Sequence, residues 1–239
     1  MLLQNKVAVI YGAGGAIGGA VARAFAAEGA QLFNPGREID ALDEGAVDAH
    51  LQSVIDEAGR LDISFNAIGI PETAVGGVPF AELDVERFAL PIRVYTTSYF
   101  LTARLAARRM VPNRSGVIMT VSAVPARAGT PLNGGYGPAY AAKEQLTRDL
   151  SVEFAPHGIR VVGLRPHGMP ETNAMRELYD AKKRGMTWEQ FEAFLANSSH
   201  PRRVMTLDEV GNMAAFLASD KASGTTGTTV NMTMGTVAD

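Results

Sequence analysis

Residues 6–27, KVAVIYGAGGAIGGAVARAFAA, restrict what this chain can fold into more than any other stretch. Val7, Ala8, Val9 and Ile10 are an unbroken apolar run, as in a strand covered on both faces of a parallel sheet. Gly12, Gly14, Gly15, Gly18 and Gly19 follow within eight residues, and an alanine-rich helical stretch then ends at Glu28-Gly29. Strand, glycine turn and helix start make an anion site for a mechanical reason. Missing side chains let the backbone approach a pyrophosphate, and the free N–H groups and dipole of the helix N-terminus face it. Glycines also serve any tight turn, but the strand before and the helix after these ones predict a dinucleotide-cofactor loop.

Composition narrows the alternatives. At 239 residues the chain suits one large α/β domain, and 46% hydrophobic against 20% charged residues excludes disorder. A net charge of −3 argues against nucleic acid, whose phosphates need a basic surface. With no cysteine there are no disulfides, thiolate metal sites or cysteine nucleophile. His50, His157, His167 and His200 lack metal-ligand spacing, so no metal is expected. No stretch has the apolar length of a membrane span, and the first lysine follows the leucines, the reverse of a signal peptide. The expectation is a cytoplasmic protein acting on a small molecule, without a nucleic-acid or membrane partner.

Strand and helix patterns alternate along the chain. Residues 30–33 read as a second strand ending at Asn34-Pro35-Gly36-Arg37, and Ile39-Asp40-Ala41-Leu42 as the end of a third. Only about five residues separate them, too few for the crossover that parallel neighbours need. Residues 32–42 therefore predict a chain break or an antiparallel hairpin turning at Pro35-Gly36. Helices are expected over 43–58, over 83–110 with a kink or break at Pro91, over 138–155 with Pro138 in first position, and over 207–218. Strands are expected over 61–65, 116–121, 159–164 and 228–232. Residues 170–200, with helices near 172–183 and 187–196, read as a lid-like insertion. With no repeat or linker, residues 1–239 make a single domain: a doubly wound, mostly parallel sheet with helices on both faces.

Five motifs stand in one order. They are Gly12-Ala13-Gly14-Gly15-Ala16-Ile17-Gly18, Asn66-Ala67-Ile68-Gly69, the helix AYAAKEQLTRDL, Pro166-His167-Gly168-Met169 and the C-terminal MTLDEVGNMAAFLASDKASGTTGTTVNMTMG. Over nearly the whole chain this order resembles the short-chain dehydrogenase/reductase family, with Tyr11 where Thr is usual and His167 for a glycine. The resemblance implies a Rossmann-type fold and NAD(P)(H)-dependent hydride transfer to or from a carbonyl/alcohol pair. It implies that Gly12, Gly14, Gly15, Ile17 and Gly18 hold the cofactor's pyrophosphate and that Asp40-Ala41 contacts adenine. Asn66, Ala67, Ile68 and Gly69 would flank the cofactor, Pro166 and Met169 would pack on the nicotinamide, and Lys143 would hold the ribose. Relatives selective for NAD(H) carry an acid at the end of the second strand. Gly36-Arg37 stands there, so NADP(H) is favoured over NAD(H), with Arg37 pairing a 2′-phosphate. Apolar Tyr99, Phe100, Leu101, Leu105, Met110, Leu146 and Leu150 exceed what one sheet face needs, and with the family's habit they predict a homo-oligomer, dimer or tetramer.

The catalytic positions follow the family less closely. Its members place a Tyr four residues before a Lys, a Ser at the preceding strand's exit and an Asn on the long helix. Here Ala139 stands four residues before Lys143, Tyr140 comes one position later, and Tyr95 takes the Asn position. The expected set is Tyr140 as proton donor, Lys143 lowering its pKa and Ser122 orienting the carbonyl, with Tyr136 as reserve donor. Two other readings remain open: a cofactor-binding protein with little or no chemistry, and a reductase of an imine or activated alkene.

Overall fold

β1 (Val7–Tyr11) is buried along its whole length, as its apolar run requires. The computed structural model describes residues 1–182 and 185–238, and among them the sheet has six strands, all pairing in parallel. With β2 (Gln31–Leu32), β3 (Ile63–Asn66), β4 (Gly116–Val121), β5 (Ile159–Pro166) and β6 (Thr228–Met232), the order is β2-β1-β3-β4-β5-β6. The helices are α1 (Ala16–Ala27), α2 (Glu44–Ala58), α3 (Val85–Met110), α4 (Tyr136–Phe154), α5 (Asn173–Lys182), α6 (Trp188–Ser198) and α7 (Leu207–Ala218). The expected end of the fifth helix at Lys183 lies outside the described residues.

Side chains alternate across the sheet and meet helices on both sides. Ala8, Ile10, Phe65, Met119 and Leu164 pack with Val21 and Phe25 of α1 and with Val210 and Ala214 of α7. Val9, Tyr11, Ile118 and Val161 pack with Leu51 of α2, Tyr99 of α3 and Leu150 of α4. The chain leaves β1 through α1 on one face, reaches β2, and returns through α2 on the other face to β3. A crevice therefore opens at the C-terminal ends of β1 and β3, where the strand order reverses. No helix among the described residues is long and apolar enough to cross a membrane.

Three local expectations need correction. Beyond Leu32, the end of β2, residues 33–42 form neither a hairpin nor the expected third strand, and the chain is continuous through them. The Phe33 N–H still donates to Ala8 O at 2.9 Å. The Asn34 side chain then takes over, accepting from the Ile10 N–H at 3.2 Å, and Pro35 follows. Ile39 and Ala41 pack against the core from a turn, where the Leu42 N–H donates to Asp40 Oδ1 at 2.9 Å, and Asp43 caps α2. α2 itself is the crossover, so the missing helix between two strands is replaced by the absence of one strand. Second, α3 is not broken at Pro91, which is buried inside one helix. Third, Pro138 is the third residue of α4, where first-turn N–H groups have no intrahelical partner and an imide is tolerated.

Candidate active site

The glycine turn after β1 has the shape of a phosphate cradle. Gly12 has φ +90°, and a Cβ there would stand 2.5 Å from Ala67 O, so a side chain is excluded on both counts. Gly14 has open space on its Cβ side, with nothing within 4 Å. Gly15 is the N-cap of α1, and no side chain caps that helix and no acid sits in its first turn. The first-turn N–H groups, around Ala16, Ile17 and Gly18, are left for an anion. Asn66-Ala67-Ile68-Gly69 leaves β3 alongside, where the Ala67 N–H donates to Tyr11 O at 2.8 Å. Asn66 Nδ2 donates to Thr102 Oγ1 at 3.2 Å, while its buried Oδ1 has no partner among the described residues. These features fit a dinucleotide.

Farther out, Arg37 and Asp40 are exposed and Ala41 is buried. At the other end of the crevice, Pro166 closes β5 and Met169 is buried in the core beside α7. His167 Nε2 lies 3.0 Å from Ser198 Oγ, tying this turn to α6, and burial lowers the imidazole's pKa.

Three phenols meet beside the segment that leaves β3. Tyr95 of α3 lies with its ring centroid 5.4 Å from Tyr140 and 5.9 Å from Tyr136, both of α4, which stack on each other at 6.0 Å. The two helices come this close because Gly135, at the α4 N-terminus, has no side chain. A Cβ there would stand 2.0 Å from Phe88 O of α3. Their hydroxyls gather under the segment that follows Gly69. Tyr95 Oη accepts from the Ile70 N–H at 3.4 Å, and Tyr136 Oη donates to Pro71 O at 3.4 Å. Burial pushes all three phenol pKa values up, and the Glu72 carboxylate adds to each shift. α5 reaches the same place, since Glu177 Oε2 accepts from the Glu72 N–H at 2.9 Å.

The structure places Lys143 and Ser122 differently from the sequence expectation. Lys143 is 1% exposed, and its ammonium lies over the rings of Tyr95 and Tyr99, at 5.5 and 5.8 Å from their centroids. It sits against aromatic faces, and burial pushes its pKa down to about 7. The Ser122 hydroxyl donates to Glu144 Oε1 at 2.8 Å. Glu144 also takes Arg165 Nε at 2.7 Å and the half-exposed Arg127 Nε at 3.0 Å, a cluster with a buried Glu144–Arg165 core that sequence reasoning missed. The phenol pair had a signal: Tyr136 and Tyr140 are four residues apart, one helical turn, on one face.

A family model described as enoyl-(acyl carrier protein) reductase matches residues 33–236. The chain is similar to (+)-borneol dehydrogenase 2 of Salvia officinalis, 27% identical over 92% of this chain and 85% of the relative. It is 31% identical to an uncharacterized oxidoreductase of Bacillus subtilis, YxbG, over 94% of this chain and 88% of that one. Among solved structures, 3-ketoacyl-(acyl-carrier-protein) reductase from Brucella melitensis, complexed with NADH, is 25% identical and superposes with a TM-score of 0.85, covering 98% of this chain and 99% of that one.

Proposed function

The chain belongs to the short-chain dehydrogenase/reductase family and is an NAD(P)-dependent oxidoreductase of an alcohol/carbonyl pair, and on that premise we propose that it runs as a carbonyl reductase with a tyrosine of the three-phenol cluster as proton donor. The phenol cluster carries this reading. Burial keeps these phenols protonated through neutral pH, the form in which a tyrosine can give a proton to a carbonyl oxygen as hydride arrives. When bound, the nicotinamide supplies the hydride. Tyr136 then gives its proton to the substrate oxygen. Tyr136-Gly137-Pro138-Ala139-Tyr140 has the family's four-residue spacing with a second phenol in the lysine's place, so Tyr136 takes precedence over Tyr140 as donor. Tyr140 and Tyr95 both pack against its ring and against each other. Lys143 supports Tyr95 from beneath, and Ser122 serves the Glu144 cluster.

The glycine turn and Asn66-Ala67-Ile68-Gly69 hold the cofactor, and Pro166 borders the nicotinamide end. Residues 170–200 act as the lid that sets the substrate. For the cofactor, NADP(H) is the favoured form: Arg37 is exposed just beyond β2, and the neighbouring Glu38 carboxylate is turned back onto the Gly36 N–H at 2.9 Å. Fluorescence titration should give tighter binding of NADPH than NADH, with Arg37→Ala abolishing the difference. Equal affinities in the wild type would remove Arg37 from this role.

Turnover with a panel of carbonyls tests the donor. A proton donor is worth about 10²–10⁴ in rate, so Tyr136→Phe should lose at least the lower figure with cofactor affinity unchanged. Tyr140→Phe keeps the ring that packs on Tyr136 and should lose less than Tyr136→Phe. A larger loss at Tyr140 would make it the donor. A wild type that binds cofactor and reduces none of the carbonyls would defeat the reading.

A further inference from the structure

We infer that Glu144 is a positioning residue for hydride transfer, the single carboxylate that fixes the three chain segments bearing the reacting groups. The inference rests on the carbonyl-reductase reading. Glu144 is 2% exposed and lies on α4 one turn beyond Tyr140. Its Oε1 accepts from Ser122 Oγ at 2.8 Å and from Arg165 Nε at 2.7 Å. Its Oε2 accepts from Arg165 Nη2 and Arg127 Nε, both at 3.0 Å.

Each donor comes from a different place around the crevice. Ser122 is the first residue after β4, and Arg127 lies in the loop that leads from β4 into α4. Arg165 is 1% exposed and immediately precedes Pro166, at the end of β5. One side chain therefore ties the phenol-bearing helix to the loop that precedes it and to the turn beside the nicotinamide end. The paired N–H···O geometry of Arg165 on the carboxylate fixes distance and angle together, which a single contact cannot do.

Removing the charge while keeping the shape breaks this arrangement. In Glu144→Gln the amide presents N–H groups to one of its former donors, and the α4 N-terminus loses its register on β4 and β5. A misplacement of about 1 Å between reacting groups costs about 10²-fold in rate. The expected result is a kcat lower by about 10- to 100-fold, with KM for the carbonyl and Kd for NADPH nearly unchanged. Amide hydrogen exchange should speed up at residues 135–140 and 166–169 and not in β1 or α1. A second variant, Glu144→Met with Arg165→Met, separates stability from position. Replacing a buried ion pair by apolar groups is often neutral for stability, so its melting temperature should recover while kcat stays low.

Wild-type kcat in Glu144→Gln, or recovery of kcat together with melting temperature in the double variant, would overturn the inference. Unchanged exchange in Glu144→Gln would overturn it even where no carbonyl substrate turns over. A wild type that binds NADPH but transfers no hydride defeats the functional reading instead, and the exchange pattern alone then decides for or against Glu144 as the tie.

Discussion

Lys143 ends between two aromatic faces, and that position sets how the fold responds to pH. Burial pushes its pKa from 10.5 down to about 7. Below about pH 7 the amine is charged in folded and unfolded chains alike, and the cost of burying the charge is fully present. Between that pH and 10.5 the unfolded chain holds more protons than the folded one, so stability rises with pH. Lys143→Met should therefore raise the melting temperature most near neutral and acidic pH, with the gain shrinking towards 10.5. Thermal melts across a pH series check this. The same variant should keep turnover within about tenfold of wild type, because a group under the rings delivers no proton to the substrate. A hundredfold loss would return the lysine to the proton path. From sequence, Lys143 looked like the anchor because the helix around it matched the family. The direction its amine takes depends on where α3 carries Tyr95 and Tyr99, which no spacing within α4 reveals. The Glu144–Arg165 pair was hidden for the same reason, its partners being 21 residues apart on different elements.

Gly135 determines how α3 and α4 share the phenols between them. Phe88 O lies where its Cβ would be, and backbone cannot yield as a side-chain tip can. Gly135→Ala should push the α4 N-terminus away from α3 and lower the melting temperature, by about 2–4 °C for each 1 kcal/mol lost in a chain of this size. It should also lower kcat, because the shift parts Tyr95 from Tyr136. Calorimetry and steady-state rates on one preparation check both, and a stable variant with low kcat would show that helix placement alone governs the rate. The elements themselves were largely legible. β1, α1, α2, β4, β5 and α7 carry periodicities and caps that their burial repeats. The misread piece, 39–42, is instructive: an apolar turn packed on the core has the same short pattern as a strand end, and only its partners tell them apart.

For the whole molecule, the apolar surface expected to drive assembly is mostly used within the chain. Tyr99, Leu105, Met110 and Leu150 are buried between α3, α4 and the sheet, and Leu101 is buried as well. Tyr99 Oη lies 3.1 Å from Thr147 Oγ1 of α4. Phe100 on α3 and Val152 on α4 remain outside, 41% and 78% exposed. They are what a second copy would cover. Light scattering at micromolar concentration should give a dimer or tetramer, and Val152→Lys should shift it towards monomer; a monomeric wild type would refute the pairing.

The shortened strand at the other side of the sheet has a consequence for behaviour under stress. β2 offers two residues, and Pro35, three positions past its end, has no N–H to donate, while Asn34 has already turned its amide inward to Ile10. A partly unfolded neighbour finds almost no ladder there to extend. Fibril growth from heated samples should therefore start at β6, the longer of the two outer strands, and peptides copying residues 228–232 should seed it where peptides copying 29–34 do not.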